Sequence, residues 1–302
     1  MTDGTDRPLH RLVDDAPLRE PVLVIGLEGW VDAGFGAGAA VSQLVESAET
    51  TLVATFDADV LVDHRSRRPV MHLDNGVNTG LTWPAIELLR RQDLDGRDLL
   101  LLTGTEPDIR WRAFTAEVVE LAVRLGVRLA VGLGAYPAPV PHSRPVRLAT
   151  TATDAELAQR SGEVHATLDV PAGVAAAIEE RCAAAELPAV GLWAQVPHYA
   201  AGMAYPEASA TLLEGLGRVS GLRLDTTELR QAARAHRERL DELVAANIEH
   251  TRMVRSLEAA YDAELGAPSD TAFTPAAGEE LAAEVERFLR DLGSSGEPGA
   301  GA

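Results

Sequence analysis

No lysine occurs anywhere in the 302 residues, so all 27 basic side chains are arginines. Schiff-base chemistry and the lysine of a P-loop are excluded together. A single cysteine, Cys182, rules out an intrachain disulfide. Its setting, "RCAAAEL", reads as an apolar-sided helix in which the thiol is a small buried hydrophobe. No apolar stretch approaches the roughly 18 residues of a membrane span, and the polar start "MTDGTDRPLHRLVDDA" lacks the apolar core of a signal peptide, so a soluble cytoplasmic protein is expected. Positive charge is scarce as well. The 46 acidic residues against 27 basic leave a formal charge of −19, which opposes nucleic acid and anionic membrane as partners. CxxC, HExxH and the G-x-S-x-G elbow are all missing, so neither a metal nor a cofactor is expected, and a Ser-His-Asp hydrolase would need scattered positions brought together.

What is present is a 46% hydrophobic chain, long enough for one large α/β domain with an extension. Residues 1–20 form a polar lead-in. A buried strand is expected at 21–27, a helix at 34–47 and a strand at "TLVATF". Residues 60–73, "VLVDHRSRRPVMHL", suggest a half-exposed hairpin around their arginine-rich centre. Residues 85–91 favour a second hairpin with "RDLLLLTG" over a short helix. The strand "DLLLLTG", a helix at 111–125 and the strand "VRLAVGLG" then make a βαβ unit. "VRLATTA", a helix at 174–185, "AVGLWAQ" and a helix at 206–220 complete a domain over 21–225, built on a mainly parallel sheet covered by helices.

Residues 226–265 contain neither Gly nor Pro, and predict one long helical arm of about 60 Å. Its interrupted 4-3 seam offers Leu240, Leu243, Val254 and Leu257 either to a second copy, giving a homo-oligomer, or to the arm's own domain. Residues 266–302 read as a linker, a short helix at 279–292 and a disordered tail.

Candidate chemistry gathers at strand ends. "GWVDAGFGAGAA", residues 29–40, fits G-x-G-x-x-A at Gly34, Gly36 and Ala39, with Asp57 near the place of a ribose-binding acid. In a dinucleotide fold the first glycine turns directly off the strand, whereas Glu28, Gly29, Trp30, Val31 and Asp32 intervene here after Leu27. A blander reading is therefore favoured: Asp32 caps the helix through an N–H two or three positions on, and the glycines permit close helix–sheet contact. "TGTEPDIRW" places Glu106, Asp108 and Arg110 before a helix, where acids suit the positive helix end or form a polar cleft. "PHSRP" holds His142 and Arg144 between prolines, and "QVPHYAAG" supplies His198 and Tyr199. Together with Trp30, all follow predicted strands. In a parallel sheet they share one edge, the usual ligand side, which makes that edge a pocket or a partner-facing surface.

The ordered motifs "GWVDAGFGAGAA", "LTGTEPDIRW", "PHSRP", "DVPAGV" and "LWAQVPHY" resemble the PAC2 family, the proteasome assembly chaperone 2 group, in its actinobacterial form, over residues 21–265. The resemblance implies a three-layer α/β/α fold with a mainly parallel mixed sheet, similar to purine nucleoside phosphorylases, plus a C-terminal helical extension. It further implies a non-enzymatic, protein-binding assembly factor with a proteasome-related partner. The phosphorylase-like fold keeps a second reading open, an enzyme acting on a nucleoside-like substrate. Two departures stand out. Family chaperones that engage proteasome rings often end in a hydrophobic-tyrosine-any tripeptide where this chain ends "AGA", and their glycine-proline-threonine-glycine element reads "VPAGV" at 170–174.

Overall fold

The computed structural model describes residues 8–29, 31–161, 167 and 169–266. A short strand β1 (His10–Leu12) precedes β2 (Val22–Glu28), whose unbroken apolar run suits a strand covered on both sides. After a single 3-10 turn come helix α1 (Gly36–Glu46), strand β3 (Thr51–Phe56) and the one-turn helix α2 (Ala58–Leu61). A hairpin of β4 (Val70–Asp74) and β5 (Val77–Thr82) stands apart as a separate two-stranded sheet. The chain continues through β6 (Ile86–Gln92), β7 (Asp98–Thr105), α3 (Trp111–Arg124) and β8 (Leu129–Ala138). There follow β9 (Leu148–Ala152), α4 (Ala155–Ser161), α5 (Val174–Ala184), β10 (Ala189–Pro197) and α6 (Pro206–Ser220). Helices α7 (Thr227–Ala245) and α8 (Ile248–Gly266) end the described chain.

The main sheet runs β1-β3-β6-β7-β2-β8-β10-β9. Its centre, β7-β2-β8-β10, is parallel, whereas every pairing outside it is antiparallel. The sheet is therefore evenly mixed and not mainly parallel. One reversal is local: "DLDG" closes a tight hairpin between β6 and β7, as expected for residues 85–91, and sets β6 antiparallel to the central strands.

Alternation along β2 sends Val22 and Val24 into one apolar layer and Leu23 and Ile25 into the other. The first layer is filled from α1, α4, α6 and α7, and the second from α3 and α5, which gives helices on both faces. Cys182 is buried in the second layer, and burial pushes its thiol up to about 12, as a packing role requires.

Two expectations need correction. The hairpin is displaced from residues 60–73: residues 58–61 make a helical turn, and the ribbon forms around Asn75–Gly76, both in the left-handed region at φ 48° and 82°. The arm is two helices and not one. Asn247 breaks it, and its side-chain oxygen accepts the N–H groups of Glu249 and His250 to start α8. The seam then turns inward, with Leu240 in the first core layer and Val254 and Tyr261 buried, while Leu243 stays exposed. The arm thus packs on its own domain. The short helix expected at 279–292 lies outside the described residues.

Candidate functional site

The C-terminal ends of β7, β2, β8 and β10 do share one edge, but the residues gathered there divide into three clusters. At β2, Asp32 makes a parallel bridge with Ala135 of β8. Its carboxylate accepts N–H from Ala37 at 2.8 Å through Oδ1 and from Gly38 at 2.9 Å through Oδ2. The expected cap is present, but it reaches five and six positions on, because Phe35 sits in the left-handed region and α1 starts only at Gly36. Burial raises Asp32 above its ordinary value against the lowering pull of those N–H groups.

A phosphate cradle is thereby ruled out at this helix. Its first free N–H groups already hold a carboxylate. Strand β3, whose end carries Asp57, is moreover separated from β2 by β6 and β7, so Asp57 is not brought beside this helix as a ribose-binding acid. The glycines serve packing. A Cβ on Gly36 would lie 3.0 Å from the Ala135 Cβ and 3.1 Å from that of Ala208, and Gly34, at φ 64°, exchanges backbone hydrogen bonds with Ala201 and Tyr205. Trp30 lies outside the described residues.

At the end of β7, Glu106 is buried and its Oε1 accepts the Val174 N–H at 2.6 Å, which caps α5 from another part of the chain. Asp108 accepts the Asp63 N–H at 2.8 Å and pairs with Arg67 Nε at 3.2 Å, tying down the loop after α2. Arg110 contributes only its backbone: left-handed at φ 60°, it turns the chain into α3, whose first N–H groups bond its carbonyl, while its side chain is exposed.

Burial raises Glu106 above its ordinary 4.5, with the Val174 hydrogen bond and Arg67 pulling the other way. A raised acid prefers its protonated form in the folded state, so its contribution is fully present below pH 4.5 and is lost as pH rises through the folded value. Glu106→Gln keeps an acceptor for Val174 without the charge. In denaturant melts its stability relative to wild type should improve from pH 4.5 to pH 7, and Glu106→Leu, leaving that N–H unpaired, should lie about 1–3 kcal/mol below Glu106→Gln at both.

The third cluster lies at the ends of β8 and β10. His142 is buried; its N–H donates to the Tyr199 hydroxyl at 2.8 Å, and that hydroxyl donates to Nδ1 at 2.7 Å. Nε2 faces Asp241 of α7 at 3.1 Å, and because a carboxylate only accepts, the proton belongs on Nε2, which leaves Nδ1 to accept from the hydroxyl. Burial pushes Tyr199 up to about 12, so at neutral pH it is a phenol and serves as a donor, not a nucleophile. The His198 ring packs edge-on against Tyr199, and its buried Nδ1 has no hydrogen-bond partner among the described residues. Arg144 forms a two-pronged pair with Asp262 of α8, at 2.8 and 2.7 Å, and also meets Glu258 at 3.3 Å. Arg147 pairs with Glu264 at 3.0 Å, and the Tyr261 hydroxyl donates to the Pro145 carbonyl at 2.9 Å.

"PHSRP" is thus a clamp on the arm. Its acids were missed in the sequence because they lie about a hundred residues away, although Glu258 and Asp262, four apart, necessarily share a helix face. Among the described residues no cluster of three or more potential metal ligands occurs, and no helix is long and apolar enough to cross a membrane.

An evenly mixed eight-stranded sheet between helical layers, with a helical arm clamped at the ends of β8 and β10, defines an α/β protein in which most of the candidate strand-end groups hold the chain's own segments. The chain belongs to the PAC2 family, whose model matches residues 26–244. It is similar to the Mycobacterium tuberculosis protein of unknown function Rv2714, at 36% identity over 93% of this chain and 96% of that one, with a TM-score of 0.80. It is similar also to the M. tuberculosis proteasome-assembly chaperone homologue Rv2125, at 33% identity over 77% and 99%, TM-score 0.72. A PAC2 family protein from Streptomyces avermitilis gives 36% identity over 78% and 99%, TM-score 0.69. No curated protein matches the chain.

Proposed function

We propose that this chain is a non-enzymatic, protein-binding assembly factor of the chaperone-like kind, with a proteasome-related partner. One observation carries the reading. Of the candidate strand-end residues, Asp32, Glu106, Asp108, His142 and Arg144 are engaged with backbone N–H groups, Arg67 and the arm, and Tyr199 with His142, whereas the Arg110 side chain is exposed and His198 Nδ1 has no partner among the described residues. The family supports the same direction, since one relative is described as a proteasome-assembly chaperone homologue. Tagged protein purified from its native host under gentle salt should carry a stoichiometric partner; recovery of the chain alone would overturn the proposal.

The β4–β5 ribbon is the surface assigned to that contact. All its residues are exposed, and the register sets Met71 opposite Leu81, with Leu73 two positions on, while His72 bonds Thr82 across the other face. A lone two-stranded ribbon is marginal in water, and side chains such as Leu73, 59% exposed, have nothing to bury against. Met71→Asp with Leu81→Asp should leave the melting temperature unchanged and abolish partner recovery. Light scattering on the same variant reveals whether a homo-oligomer uses this ribbon as well: in that case its mass falls to that of a monomer.

A further inference from the structure

Helix α8, the last described helix, is held to the domain largely through polar side chains. Of its large side chains, only Val254 and Tyr261 are buried, while Ile248 and Leu265 are exposed. Met253 and Leu257 are half-buried, and beside them the attachment is polar and charged: Glu258, Asp262 and Glu264 on the helix meet Ser143, Arg144 and Arg147 on the loop after β8. Asp262 and Glu264 are themselves largely in solvent, at 52% and 70% side-chain exposure. Attachments of this sort weaken with salt and open without disturbing the core. The break at Asn247 supplies the hinge, and α8 lies beyond the family-matched residues 26–244, whereas the loop lies within them.

What the loop recognises is specific. Arg144 takes one carboxylate through two prongs and a second four residues earlier, and the Pro145 carbonyl takes a tyrosine hydroxyl from the same helix face. We infer that residues 143–147 form a receptor for an acidic helix, closed in the resting chain by its own α8 and opened when a partner protein's helix bearing the same E-x-x-Y-D pattern takes its place. The inference deepens the partner-binding proposal and rests on it. The two fail separately, because the receptor is tested without any native-host partner.

The probe is a synthetic peptide of residues 248–266, and the host is the full chain carrying Glu258→Arg and Asp262→Arg, which sets guanidinium against guanidinium at Arg144. The host should bind the peptide at least about tenfold more tightly than wild type, whose site is occupied. Binding should weaken as salt is raised. Adding Arg144→Glu to the host should abolish it, whereas a chain carrying Arg144→Glu alone, whose acidic α8 no longer closes on the loop, should bind a peptide carrying the two arginine substitutions. Equal binding by host and wild type, or binding indifferent to Arg144→Glu, overturns the receptor. Should the host melt early, hydrogen exchange on wild type decides the matter: excess peptide should speed exchange in α8 and leave β2 unchanged, and exchange of α8 only through global unfolding overturns the proposal.

Discussion

Asp32→Ala is expected to cost about 2–4 kcal/mol in denaturant melts, because two N–H groups at the start of α1 each lose a charged acceptor. Asp32→Asn should fall between wild type and the alanine variant, losing about 1–2 kcal/mol. A simple N-cap would tolerate Asn almost without loss, since Asn caps as well as Asp. Here each carboxylate oxygen receives its own N–H, so an amide keeps one bond and turns its NH2 toward the other donor. Asn as stable as wild type would show that only one of the two bonds matters.

Gly104→Ala should be the most damaging small substitution near the edge, at about 3–5 kcal/mol, with little soluble protein recovered. Gly104 sits at φ 101°, where an L side chain is strained, and an added Cβ would lie 2.0 Å from the Ala85 carbonyl oxygen. That oxygen cannot retreat freely, since it accepts the Thr105 N–H at 2.9 Å and anchors the β6–β7 hairpin just ahead of Glu106. Gly76→Ala makes the control. It is also left-handed, at φ 82°, but nothing lies within 4 Å of the added carbon, so the loss should be about 1–2 kcal/mol. Similar melts for both variants would remove the collision with Ala85 as the cause.

Much of the fold was legible in the sequence because burial writes itself as pattern. The continuous apolar runs of β2 and β7 and the helical spacing of α3, α5 and α6 all fell where expected. The ribbon did not, since its side chains face solvent and its alternation records no burial; the Asn75–Gly76 turn was the better signal. The break in the arm escaped because Asn stops a helix through its side chain, with neither Gly nor Pro to mark the place. At the site, the capping role of Asp32 was readable from its position ahead of a helix. The bond from Val174 to Glu106 was not, as nothing local ties residues 68 positions apart.

The central place of β2 also bears on how the molecule comes into being. Its neighbours in the sheet are β7 and β8, so Val22 must await Leu99 on one side and Leu129 on the other. A chain emerging from the ribosome has its first long apolar strand made, yet holds no companion for it until β7, roughly a quarter of the 302 residues later. Over that interval the run "VLVIGL" is an open strand edge, the state in which nascent chains aggregate or are held by other proteins. A protein placed among chaperone-like relatives thus has, by its own topology, a stage of synthesis in which it needs shelter itself.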